Sequence, residues 1–279
     1  MKRCKAGWRT AALAAVVLVG CGKSPTTPAG GGGIPLGTNN DLIAMIGSAY
    51  ATGAQFPTTL DTTANILAAI NVEGLRSATA VFPILSGPLV QLSDAGAVSV
   101  RTGVGPASSE ITLDKLQLNV AATIQTVYTT LKSHPIDVAI PFDGTTYHRF
   151  SLTGTTAVPA RVDSVKSVTL PTISAPSAGA TVSRSSNLTV SWSDAGIDTT
   201  VYMMVFVGSL VDTTQFAAAT LTRDNAGSVA LPSAALLLLP NGAASMSVVR
   251  FRLERRALPG RKLDLISETV RIRSLTLTD

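Results

Sequence analysis

The feature that most constrains this chain is a period of two. In Leu188-Thr189-Val190-Ser191-Trp192, apolar side chains recur at every second position. Leu116, Leu118 and Val120 do the same against Lys115, Gln117 and Asn119. Such alternation places one face of an extended strand against a core and the other toward water. Turn residues separate the stretches. Asp194-Ala195-Gly196 follows Trp192, and Leu258-Pro259-Gly260-Arg261 has Pro and Gly where a tight turn wants them.

Further strands are expected at Val201 to Val207, an almost unbroken apolar run suited to burial on both sides, and at Ser228 to Leu231. Val249, Phe251 and Leu253 share one face of the next strand, with Arg250, Arg252 and Glu254 on the other. Leu263, Leu265, Val270 and Ile272 continue beyond the turn, and the change of phase between Leu265 and Val270 predicts a bulge. Toward the amino terminus, strands are predicted near Val98 and Val100, over Ile124 to Leu131, over Ile136 to Ile140, and over Thr145 to Leu152 after an Asp143-Gly144 turn. Leu42 to Ile46 and Ala64 to Ile70 allow short helices. No short fixed repeat is visible. The expected class is all-β, with two tandem β-sandwich-like domains.

The amino terminus carries an address. Lys2, Arg3, Lys5 and Arg9 precede an uncharged apolar run from Ala11 to Val19, too short to span a bilayer. The run ends Leu18-Val19-Gly20-Cys21. These residues resemble the lipobox of bacterial lipoprotein signal peptides. The resemblance implies removal of residues 1–20, cleavage between Gly20 and Cys21, and lipid on the Cys21 thiol. Gly22, where an Asp would resemble an inner-membrane retention signal, favours the outer membrane.

Processing changes what composition means. The formal charge of +5 falls to about +1 once the four basic residues of the signal leave. Cys4 leaves too and Cys21 takes lipid, so no disulfide is expected in the mature chain. Residues 21–38 are rich in Gly, Pro and Thr and read as a tether. Pro171, Pro176 and neighbouring serines punctuate residues 165–180. The expected domains are therefore 39–165, β-rich, and 168–279. In the second, Pro176 to Val182, Leu188 to Trp192 and Gly227 to Pro232 resemble fibronectin type III and related immunoglobulin-like modules, which implies a sandwich with Trp192 in its core. No tyrosine stands near the start of the strand at Ser245, a departure that bears on the subtype.

The search for chemistry finds little. His148 shares a face with Phe150 and Leu152 and reads as a satisfied, partly buried histidine, while His134 precedes Pro135 in a loop. Neither has the spacing of a zinc site. Gly103-Val104-Gly105 is a fragment of a phosphate loop. Glu110 with Asp114 is a conceivable acid–base pair, and Asp194 with Asp198 a conceivable calcium loop without the interleaved pattern such loops need. Surface charge and a solvated turn are the plainer readings. From Arg250 onward eight basic residues stand against four acidic ones, and Arg250 with Arg252 is expected on an outer face, either as a solubilising edge or as a contact for an anionic surface.

These observations favour a non-catalytic, lipid-anchored envelope protein, a structural or binding module outside the cytoplasm. No catalytic, metal or cofactor residue is assigned and no nucleic-acid partner is expected. The partners expected are the membrane, through lipid, and an envelope protein or anionic surface. The alternatives are a component of a larger envelope assembly or export system, and a hydrolase with dispersed site residues.

Overall fold

Short strands dominate the computed structural model, as the alternation requires. It describes residues 34–36, 64–86, 89–102, 109–120, 123–130, 133, 138–196, 198–211, 216–258 and 261–279. The strands of the amino-terminal part are β1 (Ile34–Leu36), β2 (Asn65–Val72), β3 (Leu75–Val81), β4 (Pro83–Ser86), β5 (Leu89–Leu92), β6 (Val98–Thr102), β7 (Glu110–Thr112), β8 (Asp114–Val120), β9 (Thr123–Thr129), β10 (Tyr147–Leu152) and β11 (Arg161–Lys166). Those that follow are β12 (Ile173–Ala175), β13 (Ala180–Ser183), β14 (Leu188–Trp192), β15 (Val201–Ser209), β16 (Phe216–Arg223), β17 (Ser228–Leu231), β18 (Gly242–Leu258) and β19 (Arg261–Thr278). One four-residue helix, α1 (Ser233–Leu236), precedes β18. No helix among the described residues is long and apolar enough to cross a membrane.

The protein is all-β, and one large sheet organises it. Its order is β1-β16-β15-β18-β19-β2-β3-β9-β8, with β13 also paired to β19. Two smaller sheets, β11-β10-β6-β7 and β12-β14-β17, pack on the same face of it. The first encloses a core that includes Val98, Val100, Phe150 and Val165 with Leu67, Ala80, Tyr128, Leu263 and Leu265 of the large sheet. The second encloses Leu188, Val190 and Trp192 with Met203, Val205, Met246, Val248 and Leu275.

The hairpin β18–β19 belongs to both cores. Its strands are 17 and 18 residues long, well beyond the usual three to ten. They pair without interruption from Gly242↔Leu277 to Leu258↔Arg261. The free edge of β19 is shared: β2 pairs with Leu263 to Val270, and β13 with Leu275 to Thr278. The β2–β3 turn enters the gap between them. Glu73 and Gly74 both have positive φ, 51° and 91°, as a two-residue hairpin turn requires. The Glu73 carboxylate accepts the Ile272 N–H, and Arg271 Nη1 donates to it at 3.0 Å. The sheet therefore runs through the expected boundary near residues 165–180, and the amino-terminal core takes residues from β19.

Three local expectations are corrected. Ala64 to Ile70 is strand, not helix, because β2 lies between β19 and β3 and its small residues fit a surface buried on both sides. The predicted bulge after Leu265 is absent, since all of Leu263 to Val270 is buried and both parities hold apolar residues. Val138 to Ile140 is not a strand. Its backbone bonds run Val138 N–H to Arg76 O and Ile140 N–H to Val138 O, and Asp143-Gly144 therefore joins no hairpin. The Leu42 to Ile46 expectation, Gly20 and Cys21 lie outside the described residues, as does the tether expected over residues 21–38 except at Ile34–Leu36, which pair with β16 as a strand and are not tether.

Candidate functional site

Residues 167–172 fall within the Pro- and Ser-punctuated stretch where the domain boundary was expected, and they are laid along β19. Val168 N–H donates to Ser267 Oγ at 3.2 Å, Thr269 Oγ1 donates to Thr169 O at 2.9 Å, and Arg271 Nε donates to Pro171 O at 3.3 Å. The donors and acceptors on β19 are successive odd residues, which all face the two small sheets. The segment fills the seam between those sheets, and Ser167, Val168 and Pro171 are buried.

Arg250 anchors the seam from β18. Only 2% of it is exposed. Its guanidinium makes a forked pair with Asp194, Nη1 to Oδ2 at 2.9 Å and Nη2 to Oδ1 at 3.0 Å. Nε donates to Asp224 Oδ1 at 3.2 Å, and Nη1 donates to Thr169 Oγ1 at 2.7 Å. Arg250 thus ties together β18, the seam segment, the loop after β14 and the turn after β16. Asp224 holds two more elements. Its carbonyl accepts Trp192 Nε1–H at 2.8 Å, and its Oδ2 accepts the Gly196 N–H at 2.9 Å. Burial pushes the Asp194 carboxyl up, but the Arg250 bonds outweigh it and hold the group below its ordinary value.

Arg252 repeats the arrangement one step along the face. It pairs with Asp198 and donates from Nη1 to Thr200 Oγ1 at 2.6 Å. Burial opposes ionisation of Asp198, yet the Thr200 hydroxyl and N–H, then Arg252, bring its pKa to about 2. The expected outer basic face is therefore corrected. Arg250 and Arg252 lie on the inner face, in the same parity as Ala244, Met246 and Val248, and that shared parity was the signal available in the sequence. Asp194 and Asp198, the conceivable calcium loop, are the partners of these two arginines.

The other candidates lie apart from the seam. Glu110 is on β7 and accepts from Ser99 Oγ at 2.6 Å, whereas Asp114 is on β8, in a different sheet, and accepts from Ser133. The two do not form an acid–base pair. His148 is fully buried beside Phe142, with ring centroids 4.8 Å apart, and neither ring nitrogen finds a hydrogen-bond partner. It is buried but not satisfied, and desolvation lowers its pKa to about 4, with Asp143 opposing. Trp192 is 3% exposed and sits in the second core. His134 and Gly103 to Gly105 lie outside the described residues. Among the described residues no group of His, Cys, Asp and Glu could hold a metal ion.

Two polar groups escaped the sequence reading. Tyr128 is buried in the first core, donates to Asp94 Oδ1 at 2.6 Å and accepts the Ala95 N–H at 2.8 Å. Burial and that carboxylate raise its pKa, while hydrogen bonds from Lys115 and Tyr128 take Asp94 to about 2. Glu268 is 2% exposed on the face opposite Arg250. Its Oε1 has no partner, and burial alone raises its pKa to about 8.

No family model matches the chain, and no curated protein matches its sequence. Among solved structures it is similar to the crystal structure of chicken CNTN1 FN1-FN3 domains, with 15% identity and a TM-score of 0.26. The match covers 72% of this chain and 65% of that one, so the chain spans a little under two-thirds of its length.

Proposed function

We propose that this is a non-catalytic envelope lipoprotein that holds a binding surface away from the membrane on a stiff double sandwich. The observation that carries the reading is the seam. A continuous hairpin passes through both cores, and the connecting segment is bonded to it along its length. The charged groups there spend their hydrogen-bonding capacity on one another, an arrangement that fixes geometry more than it adds stability. A flexible joint would leave residues 167–172 solvated.

The presented surface is the end of the carboxy-terminal sandwich remote from the first core. Val211, Leu237 and Leu238 are 63%, 54% and 56% exposed at the close of β15 and after α1. Exposed apolar side chains gathered at one end suit a protein partner. This favours the assembly-component reading as the second choice and gives it a contact site. The lipobox supports attachment through Cys21 to the outer membrane.

The test is mass spectrometry of the mature amino terminus, followed by membrane flotation of the native protein and of Cys21→Ser. A lipidated Cys21 with loss of flotation in the variant supports the anchor. An unmodified cysteine rejects it. A hydrolase screen on peptide, ester, phosphate and glycoside substrates tests the non-catalytic claim, and turnover abolished by one polar substitution in a folded variant would overturn it.

A further inference from the structure

The small sheet β11-β10-β6-β7 turns one face to its core and the other to solvent. The alternation of β10 sets this. His148, Phe150 and Leu152 are buried, while Tyr147 and Arg149 are exposed and Ser151 is half-buried. Register then decides which side chains stand together on the outer face. Arg149 is paired with Arg101 of β6 on one side and with Ser164 of β11 on the other. Tyr147 is paired with Lys166, and Arg101 with Glu110 of β7.

Arg101 and Arg149 are both exposed, and they are direct cross-strand neighbours. Like charges in that position have Cβ atoms about 5 Å apart and destabilise the sheet. Elsewhere the chain sets acids against its arginines: Asp163 against Arg161, Asp194 and Asp224 against Arg250, Asp198 against Arg252 and Asp264 against Arg255. Among the described residues neither Arg101 nor Arg149 has an ion pair or a side-chain hydrogen bond. The acid next to them in the register, Glu110, accepts the Ser99 hydroxyl at 2.6 Å. Lys166 stands diagonal to Arg149, so three cations cross three adjacent strands in steps of about 5 Å and about 7–8 Å.

Hydroxyls and one ring occupy the space around the cations. Ser99, Ser151 and Ser164 share the face. Tyr147 is 52% exposed and stands two residues from Arg149, about 7 Å along the strand. A tyrosine ring offers an apolar platform to a sugar ring, serine hydroxyls exchange hydrogen bonds with sugar hydroxyls, and guanidinium forks take carboxylate or phosphate. Other anionic partners fit less well. β6 and β10 are interior strands, so their backbone groups are spent within the sheet and an extended peptide cannot join them as a further strand. A membrane surface would call for apolar side chains to insert, and Val162 is the one aliphatic residue among the described residues of this face.

We propose that the outer face of this sheet binds an acidic polysaccharide, with Arg101 and Arg149 clasping one acid group and Tyr147 beneath an adjacent sugar ring. The site moves to β6 and β10 the anionic contact that the sequence suggested for Arg250 and Arg252. It lies on the amino-terminal sandwich, apart from the exposed apolar end of the other, and it needs no lipid anchor.

Binding is measured by calorimetry at low salt with the chain carrying Cys21→Ser, which cannot take lipid. The probes are polygalacturonate and a phosphorylated mannan, compared with neutral dextran, poly-glutamate and phosphatidylglycerol vesicles. At least one acidic glycan should bind, and dextran should not. Arg101→Gln combined with Arg149→Gln should weaken that binding about tenfold or more. Tyr147→Ala should weaken it severalfold without changing its salt dependence, because a ring is lost and no charge. Arg256→Gln removes a charge that is paired with Glu254 on β18 and should leave binding unchanged. The urea midpoint of the double variant should match or exceed the parent's, since a repulsion is relieved. Failure of both acidic glycans to bind overturns the proposal. So does equally tight binding of poly-glutamate or of the vesicles, an unchanged affinity in the double variant, or an equal loss in Arg256→Gln. If the double variant lowers the urea midpoint, Tyr147→Ala and Lys166→Gln decide, and an unchanged affinity in both overturns the proposal.

Discussion

Arg250 and Glu268 sit one strand apart on opposite faces of the same hairpin, and they are treated in opposite ways. Arg250 meets two carboxylates and a threonine, and its charge is neutralised where it lies. Glu268 lies between Phe251 and Ile70 in the register, and its Oε1 meets nothing. Both are almost completely buried. The two faces of the hairpin therefore do different work. The inner face at mid-hairpin is a polar splice that joins two sandwiches. The second face is an apolar surface, on which an ionisable group is kept neutral by burial rather than paired.

The largest effect should come from the splice. Arg250→Met leaves the Asp224 carboxylate buried without its arginine and should cost about 3–5 kcal/mol, read by urea unfolding. Adding Asp194→Asn and Asp224→Asn to that variant should recover much of the loss, because the penalty comes from uncompensated charge. A loss that the two asparagines do not relieve would mean that Arg250 acts by packing alone.

pH should separate the two faces next. Between about 4.5 and about 8 the folded chain keeps the Glu268 proton that the unfolded chain has released, so this contribution is full below 4.5 and is lost as pH rises through about 8. His148 runs the other way. Between about 4 and 6.5 the unfolded chain binds a proton that the folded chain refuses, so stability rises with pH there. The two slopes offset below pH 6.5, and only the Glu268 decline remains from 6.5 to 8. Glu268→Gln should remove that decline and leave a rise from pH 4 to 6.5. An unchanged profile would show that Glu268 is ionised and partnered in solution.

The smallest effect is expected at the exposed end. Leu238→Ser should change stability by no more than about 0.5 kcal/mol, since the side chain is 56% exposed. Any larger loss would place Leu238 in a contact within the molecule and remove it from the proposed partner surface.

These contrasts also separate what the sequence could and could not reveal. Strands with one wet face were legible: β14 with Leu188, Val190 and Trp192 inward, and β8 with its alternating lysine, glutamine and asparagine. Elements buried on both faces were not. β2 has small residues at both parities and reads as helix, and β19 loses its alternation where Ser267, Glu268 and Thr269 cross the seam. The arginines of β18 looked like an outer face because charge ordinarily marks solvent. Their partners, Asp194, Asp198 and Asp224, stand tens of residues earlier, and no local pattern announces such a pairing. The extent of the hairpin was hidden for the same reason. Its turn was readable, but its participation in two cores depends on β2 and β13 finding one edge of β19.

Because β18–β19 and the seam run through both sandwiches, the two are expected to unfold as one unit. Equilibrium urea unfolding of the mature protein tests it when followed at once by Trp192 fluorescence and by hydrogen exchange of peptides from β6 and β10. Trp192 reports the second core, and β6 with β10 reports the first. Coincident midpoints by both probes are expected, with a blue-shifted Trp192 emission until that midpoint. Two separated transitions, with one core folded while the other has opened, would contradict it.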